Sequence, residues 1–258
     1  GMLYAAVLRS AHAHARVRRL EVSPAHSRPG VVAVLTAGDI PGRRTHGLLR
    51  QDWPVLVGEG EKVRYVGDAL AVVVAETPAQ AEEARAAIAV EYEVLPGVFS
   101  PQEALAEGAP QVHAGGNLLK HIRVRKGDVA SGLAQAEVVV EETFRTPTIE
   151  HAFLEPEAAV AVPDLSPGQE GVTVYVGSQI PFADRDQIAA SLGLPPERVR
   201  VVQTTVGGAF GGKEDISVQI HAALAAWKTG RPVKLVLSRE ESMRVHPKRH
   251  ATAIHLQV

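Results

Sequence analysis

Short apolar runs separated by turn residues dominate the first half of the chain: Leu3–Leu8, Val17–Val22, Val31–Leu35, Ala69–Ala75 and Ile88–Val94. Their richness in Val and Ala, at strand rather than helix length, predicts β-strands. One helix is signalled among them. Thr77 caps it, Pro78 occupies the first helical position and Gln80 closes a capping box, while Ala81, Ala84 and Ile88 form a narrow apolar stripe. Between Gly42 and Gly60 the period is lost, which predicts a long surface loop.

At Gln111–Asn117 the pattern breaks on Gly115-Gly116-Asn117, and it restarts beyond. Strands are predicted at Leu119–Arg125, Val138–Arg145, Ala158–Val162, Val172–Val176, Val199–Gln203 and Val233–Leu237. Helices are predicted at Asp128–Ala136, Pro181–Leu192 and Ile216–Lys228. No fixed-period repeat is present. The mixture predicts an α+β fold in two domains, residues 1–114 and 118–258.

Composition narrows the function. Of 258 residues 45% are apolar and 4% aromatic, and 27 Lys+Arg against 29 Asp+Glu give a formal charge of −2. A dedicated nucleic-acid binder would carry a basic balance and stacking aromatics, so that class is set aside. The short basic runs Arg16-Val17-Arg18-Arg19 and Lys120–Lys126 read as solvated faces. No apolar run approaches the ~20 residues of a membrane span, and no basic-then-apolar leader precedes Leu3–Arg9, so a cytoplasmic protein is expected. Zero cysteines exclude disulfides, thiolate nucleophiles and cysteine-held iron–sulfur clusters within this chain. Gly1-Met2 at one end and a strand-like Ala251–Val258 at the other lead to the expectation of a piece of a longer protein.

The densest chemical signal is Gly207-Gly208-Ala209-Phe210-Gly211-Gly212-Lys213-Glu214, between a predicted strand and a predicted helix. Such a loop collects backbone N–H groups at a helix N-terminus, where phosphate or an oxyanion is stabilised. Glycine lets that backbone approach a ligand closely and adopt positive φ. The spacing imitates a phosphate-binding G-x-x-x-x-G-K-[ST] loop but fails at its last position. Glu214 stands where a hydroxyl should hold Mg²⁺, and its carboxylate would repel phosphate.

Other candidates are weaker. Glu155 and Glu157 are not read as an acid–base pair. Pro247 separates His246 from His250, and His12 with His14 on one strand face read as packing or solvent-facing residues. Lys213 reads as structural.

Around the glycine loop the sequence resembles the molybdopterin-binding subunit of the xanthine dehydrogenase/aldehyde oxidase family of molybdenum hydroxylases. The resemblance is carried by Val206–Asp215, by Gln179 and by Leu192–Val201. It extends to Met2–Ser10 with His12–Arg16, Pro29-Gly30-Val31, Thr36–Gly42, Val66–Ala69, Ala81–Ala84 and Glu150–Glu157. It implies an α/β-hammerhead domain followed by the first part of a molybdopterin-binding α+β domain. Gln179 then falls where the family's glutamine amide faces the molybdenum centre, Phe210 and Gly211 where backbone lies against it, and Glu214 where xanthine-type members hold a heterocyclic substrate. Ala209 is closer to some aldehyde oxidases, which leaves the substrate class open between aldehydes and N-heterocycles.

The resemblance further implies hydroxylation of carbon with oxygen from water, and electron exit through iron–sulfur and FAD groups on partner chains in an oligomeric complex. The family's base is a far C-terminal glutamate with no counterpart here, so no catalytic residue and no direct metal ligand is assigned. The chain alone is expected to be inactive. The competing expectation is a non-catalytic scaffold or split subunit without bound cofactor.

Overall fold

The computed structural model describes residues 1–258. The chain forms two compact units, Gly1–Leu95 with His151–Pro247, and Pro96–Glu150 with Lys248–Val258. In the first half of the larger unit run β1 (Leu3–Arg9), β2 (Ala15–Glu21), α1 (Ser23–His26), β3 (Val31–Leu35), β4 (Thr45–His46), β5 (Trp53–Pro54), β6 (Lys62–Val63), β7 (Ala69–Ala75), α2 (Pro78–Ala86) and β8 (Ala89–Val94). The smaller unit holds α3 (Pro101–Leu105), α4 (Val129–Gln135) and β9 (Glu141–Thr146). Returning to the larger unit, the chain forms β10 (Ala158–Asp164), β11 (Gly171–Val176), α5 (Pro181–Leu192), β12 (Val199–Gln203), α6 (Gln219–Thr229), β13 (Val233–Val236) and α7 (Arg239–Val245). The last strand, β14 (Thr252–Gln257), pairs antiparallel with β9 in the smaller unit.

The core of the larger unit is a seven-stranded mixed sheet in the order β12-β11-β10-β13-β1-β7-β3. Strand β7, Ala69-Leu70-Ala71-Val72-Val73-Val74-Ala75, is apolar on both faces and buried along its whole length. That composition fits an interior strand. Val72 and Val74 pack into the main core with Ala222, Ala223 and Leu224 of α6, while Ala71 and Val73 meet Ala84 and Ile88. Thr77 caps α2 by accepting the Gln80 N–H at 3.2 Å. Helices α5 and α6 end on left-handed Gly193 and Gly230, the residue that takes this conformation without strain.

Several expectations change. The segment 42–60 is a surface loop only in part: residues 48–52 are exposed, but His46 pairs with Trp53 in a short ladder, and Val55, Leu56 and Val57 are fully buried. Two-residue strands carry no period for the sequence to reveal. Residues 119–125 form no strand; Leu119, Ile122 and Val124 stay exposed, since apolar alternation without a partner strand makes no ladder. The strand expected at 138–145 is Glu141–Thr146, and the helix expected from 216 begins at Gln219. His12 and His14 sit in the bend between β1 and β2 rather than on a strand. The Gln111–Asn117 segment lies inside the smaller unit. There the Asn117 side chain accepts the Val112 N–H and donates to the Ala104 and Pro110 carbonyls.

Candidate functional site

Three segments of the larger unit meet at one end of the seven-stranded sheet. β11 and β12 are parallel neighbours, so the connections that leave their C-terminal ends, residues 177–180 and 204–218, emerge side by side. β10 is antiparallel to β11 and its Ala159 pairs with Val176, so residues 153–157, which feed β10, arrive at the same edge. Crevices outside the carboxyl ends of parallel strands are where such sheets place ligands.

Glu155 and Lys213 bind the segments together. The Glu155 carboxylate accepts the Gly207 N–H at 2.6 Å and the Lys213 ammonium at 2.9 Å, and the Glu155 N–H donates to the Gly207 carbonyl at 3.2 Å. Desolvation pushes this carboxyl up, but the Gly207 N–H and the Lys213 charge outweigh it and hold the group below its ordinary value. Lys213 is buried, its ammonium lying 4.8 Å from the Phe153 ring centre. Lys213 also fixes Gln179: its N–H donates to Gln179 Oε1 at 3.2 Å, and the Gln179 N–H donates to the Lys213 carbonyl at 3.2 Å.

The glycines divide by role. A Cβ on Gly207 would lie 2.7 Å from Glu155 Cβ, and one on Gly212 would lie 2.7 Å from the Phe153 ring. These two are required by the close approach of the loop to the 153–155 segment, not by a ligand. Gly211, at φ +92°, has only His151 Nε2 within 4 Å of such a Cβ, at 3.8 Å. Between them Phe210 takes φ +53°, a conformation that costs a non-glycine residue about 1 kcal/mol or more, and its ring is 74% exposed.

All four residues singled out by the sequence therefore belong to one place. Gln179 is seated against the loop through Lys213, Phe210 and Gly211 form its outward arc, and Glu214 is exposed where the loop turns inward. Neighbouring Asp215 has its carboxyl raised by desolvation and by the Glu214 charge. The Gln179 amide uses its oxygen on the Lys213 N–H, so its NH₂ group is available as a donor. Donors and bare backbone of this kind suit an oxygen-rich ligand.

Sequence reasoning missed the parts that hold the loop. Glu155 is a clamp, while Glu157 faces away and pairs in the core with His246 Nδ1 at 3.0 Å. Asp184, on the first turn of α5, is fully buried; its Oδ2 accepts from Gln219 Nε2 at 3.3 Å. Desolvation, with some help from Asp215, raises its carboxyl to about 6 against the opposing pull of the Ser178 hydroxyl and the Gln219 amide. A buried Asp in a helix and a Lys after two glycines carry no local signal of these roles.

Two family models match the chain in succession. Residues 111–258 match the molybdopterin cofactor-binding domain family, and residues 1–96 match the a/b hammerhead domain of aldehyde oxidase and xanthine dehydrogenase. The chain is 45% identical to the nicotinate dehydrogenase large molybdopterin subunit of Eubacterium barkeri, over 98% of this chain and 59% of the relative. It is 35% identical to the xanthine dehydrogenase molybdenum-binding subunit of Escherichia coli O157:H7, over all of this chain and 35% of that protein. The aldehyde oxidoreductase of Desulfovibrio gigas superposes with a TM-score of 0.91 at 28% identity, over 99% of this chain and 29% of its own. The chain thus spans between about a third and three-fifths of the curated relatives named here. No helix is long and apolar enough to cross a membrane.

Proposed function

The chain belongs to the xanthine dehydrogenase/aldehyde oxidase family of molybdopterin-binding subunits, with the α+β hammerhead and molybdopterin-binding fold, and from that premise we propose that it is the cofactor-facing part of a molybdenum hydroxylase acting on an aldehyde or N-heterocycle. The hammerhead domain is taken to residue 114 and the molybdopterin-binding domain from residue 118. When bound, the molybdenum cofactor supplies the redox centre at which a substrate carbon gains oxygen from water.

The residues present fit such a group. Gln179 offers an amide donor whose oxygen is already committed to the Lys213 N–H, so its orientation is fixed before any ligand arrives and costs little on binding. Phe210 and Gly211 offer exposed loop backbone. The Lys213 charge is neutralised by Glu155, and the pair holds the loop. Glu214 is assigned to the substrate: an exposed carboxylate accepts the N–H of a heterocycle and thereby orients the ring.

Electrons leave through iron–sulfur and FAD groups held outside these 258 residues, on partner chains in this reading, since the residues present include zero cysteines and cannot ligate a cluster through thiolate. The chain on its own neither retains the cofactor nor turns over.

The reciprocal Gln179–Lys213 pairing, which seats the amide on the loop, carries this reading. Its test is Gln179→Ala in the full-length, partner-containing complex, with molybdenum content measured alongside turnover. Turnover falls while folding is kept; an unchanged rate removes Gln179 from the site, and a wild-type complex without molybdenum removes the cofactor. Glu214→Gln lowers kcat/KM for heterocycles more than metal content, and loss of metal instead would make Glu214 structural.

A further inference from the structure

The glycine loop is held at its start by Glu155, but its far end, residues 215–218, runs into α6 without a Ser, Thr, Asp or Asn cap. Gln219, the first residue of α6, reaches back instead to the two residues before it. Its Oε1 accepts the Ser217 N–H at 2.9 Å and the Val218 N–H at 3.0 Å, which would otherwise be buried donors without partners. An amide oxygen turned to these donors leaves its Nε2 pointing the opposite way, and that group needs an acceptor. Asp184 Oδ2 provides it at 3.3 Å.

Asp184 is tied in turn to the segment carrying Gln179. Its N–H donates to the Ile180 carbonyl at 3.1 Å, and the Ile180 N–H donates to Ser178 Oγ at 3.0 Å. Residues 177–180 lead directly into this first turn of α5, so the Asp184 Oδ2 bond to Gln219 ties them to the far end of the loop. Ser178, Asp184 and Gln219 are all buried, so water does not substitute for any of these links.

We propose that Asp184 is a positioning residue whose carboxyl locks residues 177–180 to the far end of the glycine loop, so that Gln179 and the 207–214 arc hold one relative placement. The lock completes a closed circuit: Gln179 to Lys213 on one side, and Ile180 through Asp184 and Gln219 to Ser217 on the other. This inference rests on the reading of Gln179 and the loop as the cofactor face for its functional meaning, but the mechanical link stands on this chain alone.

The test is hydrogen exchange by mass spectrometry on the full chain, with Asp184→Ala, Asp184→Asn and Gln219→Met beside the wild type. Loss of one buried hydrogen bond corresponds to roughly tenfold faster opening. Asp184→Ala accelerates exchange together in peptides covering 177–181 and 206–219, while the centre of α6 and β11 are unchanged. Asp184→Asn keeps an acceptor oxygen for Gln219 Nε2 and restores protection in both segments. Should Asp184→Ala not fold, Gln219→Met asks the same question from the other end, with the same two segments responding. Acceleration confined to α5, or an Asn variant no better than Ala, overturns the proposal. In the full-length complex, Asp184→Ala shifts the molybdenum electron paramagnetic resonance signal and Asp184→Asn does so less. Coupled exchange with an unmoved signal upholds the lock and removes instead the assignment of Gln179 to the cofactor.

Discussion

The larger unit should lose stability steeply on mild acidification, because two histidines are buried in it uncharged. His46 stacks on Trp53 at 5.2 Å, and desolvation depresses it to about 4. His221 Nε2 lies 2.8 Å from the Val55 carbonyl; desolvation first and the nearby Arg9 charge second depress it to about 3. Both folded values lie below the ordinary 6.5, so unfolding takes up protons, and the stability these groups confer is present above pH 6.5 and lost as pH falls. At about pH 5, some 1.5 below the unfolded value, this costs ~2 kcal/mol per histidine and ~4 kcal/mol for the pair. Asp184 works in the opposite direction. Its folded value of about 6 exceeds the ordinary 3.8, so the fold gains ~1.4 kcal/mol between about pH 7 and pH 5. Among these three groups the histidines win by ~2.5 kcal/mol, against a typical total of about 5–15 kcal/mol, and the raised carboxyls of Asp68 and Asp215 reduce that loss. Urea unfolding followed by tryptophan fluorescence at half-unit steps from pH 7 to 5 measures this, since Trp53 and Trp227 both belong to the larger unit. His221→Gln keeps a donor for Val55 but does not titrate, and it should remove about half of the histidine contribution. Stability that is flat or rises between pH 6.5 and 5, or a His221→Gln variant as acid-sensitive as wild type, would refute the reasoning.

Two further substitutions test the packing around the site. Gly42→Ala would place a Cβ 2.2 Å from the Ala190 carbonyl oxygen and 2.5 Å from the Gly193 nitrogen; main chain cannot yield as a side chain does, so a loss of about 1–3 kcal/mol or more is expected by thermal melting, and an unchanged Tm would show that the two backbones are not in contact. Lys213→Met keeps the buried stem but strips Glu155 of its ammonium, and because Glu155 is about a third exposed the loss should be about 1–2 kcal/mol, below that of a fully buried pair. The same variant should speed exchange at Gly207, and protection equal to wild type there would mean that the carboxylate holds the loop without the lysine.

Much of the sheet was legible because its strands are rich in apolar residues at strand length: the runs at 69–75, 158–162, 172–176 and 199–203 all fall in the observed ladder. What hydropathy leaves open is the partner. β1 lies parallel to β13 with Leu3 opposite Val233, a pairing between the two ends of the larger unit that no local pattern encodes. The 42–60 segment misled for a related reason, since Val55-Leu56-Val57 is too short to show a period and is buried only through contacts made by the folded chain. At the site, the glycine loop announced itself by composition and Gln179 by resemblance. Glu155, Lys213 and Asp184 did not, because each acts only once the ends of β10, β11 and β12 are brought to one edge.

That division follows from what a glycine-rich loop needs. Gly207, Gly208, Gly211 and Gly212 each lose more backbone freedom on folding than alanine would, at roughly 0.5–1 kcal/mol apiece, so ordering the loop costs about 2–4 kcal/mol. Two charge-assisted bonds from Gly207 and Lys213 to one Glu155 carboxylate return a comparable amount, at about 1.5–3 kcal/mol each before discounting for the exposure of Glu155. The compensation reaches the anchored ends and not the middle. Glu155 grips residues 207 and 213, Gln219 and Asp184 grip 217 and 218, and the arc of Phe210 and Gly211 is left bare. A loop whose glycines served only to admit a ligand would tolerate side chains at 207 and 212; here those positions are closed by Glu155 and Phe153, and only the arc between them remains open to be touched.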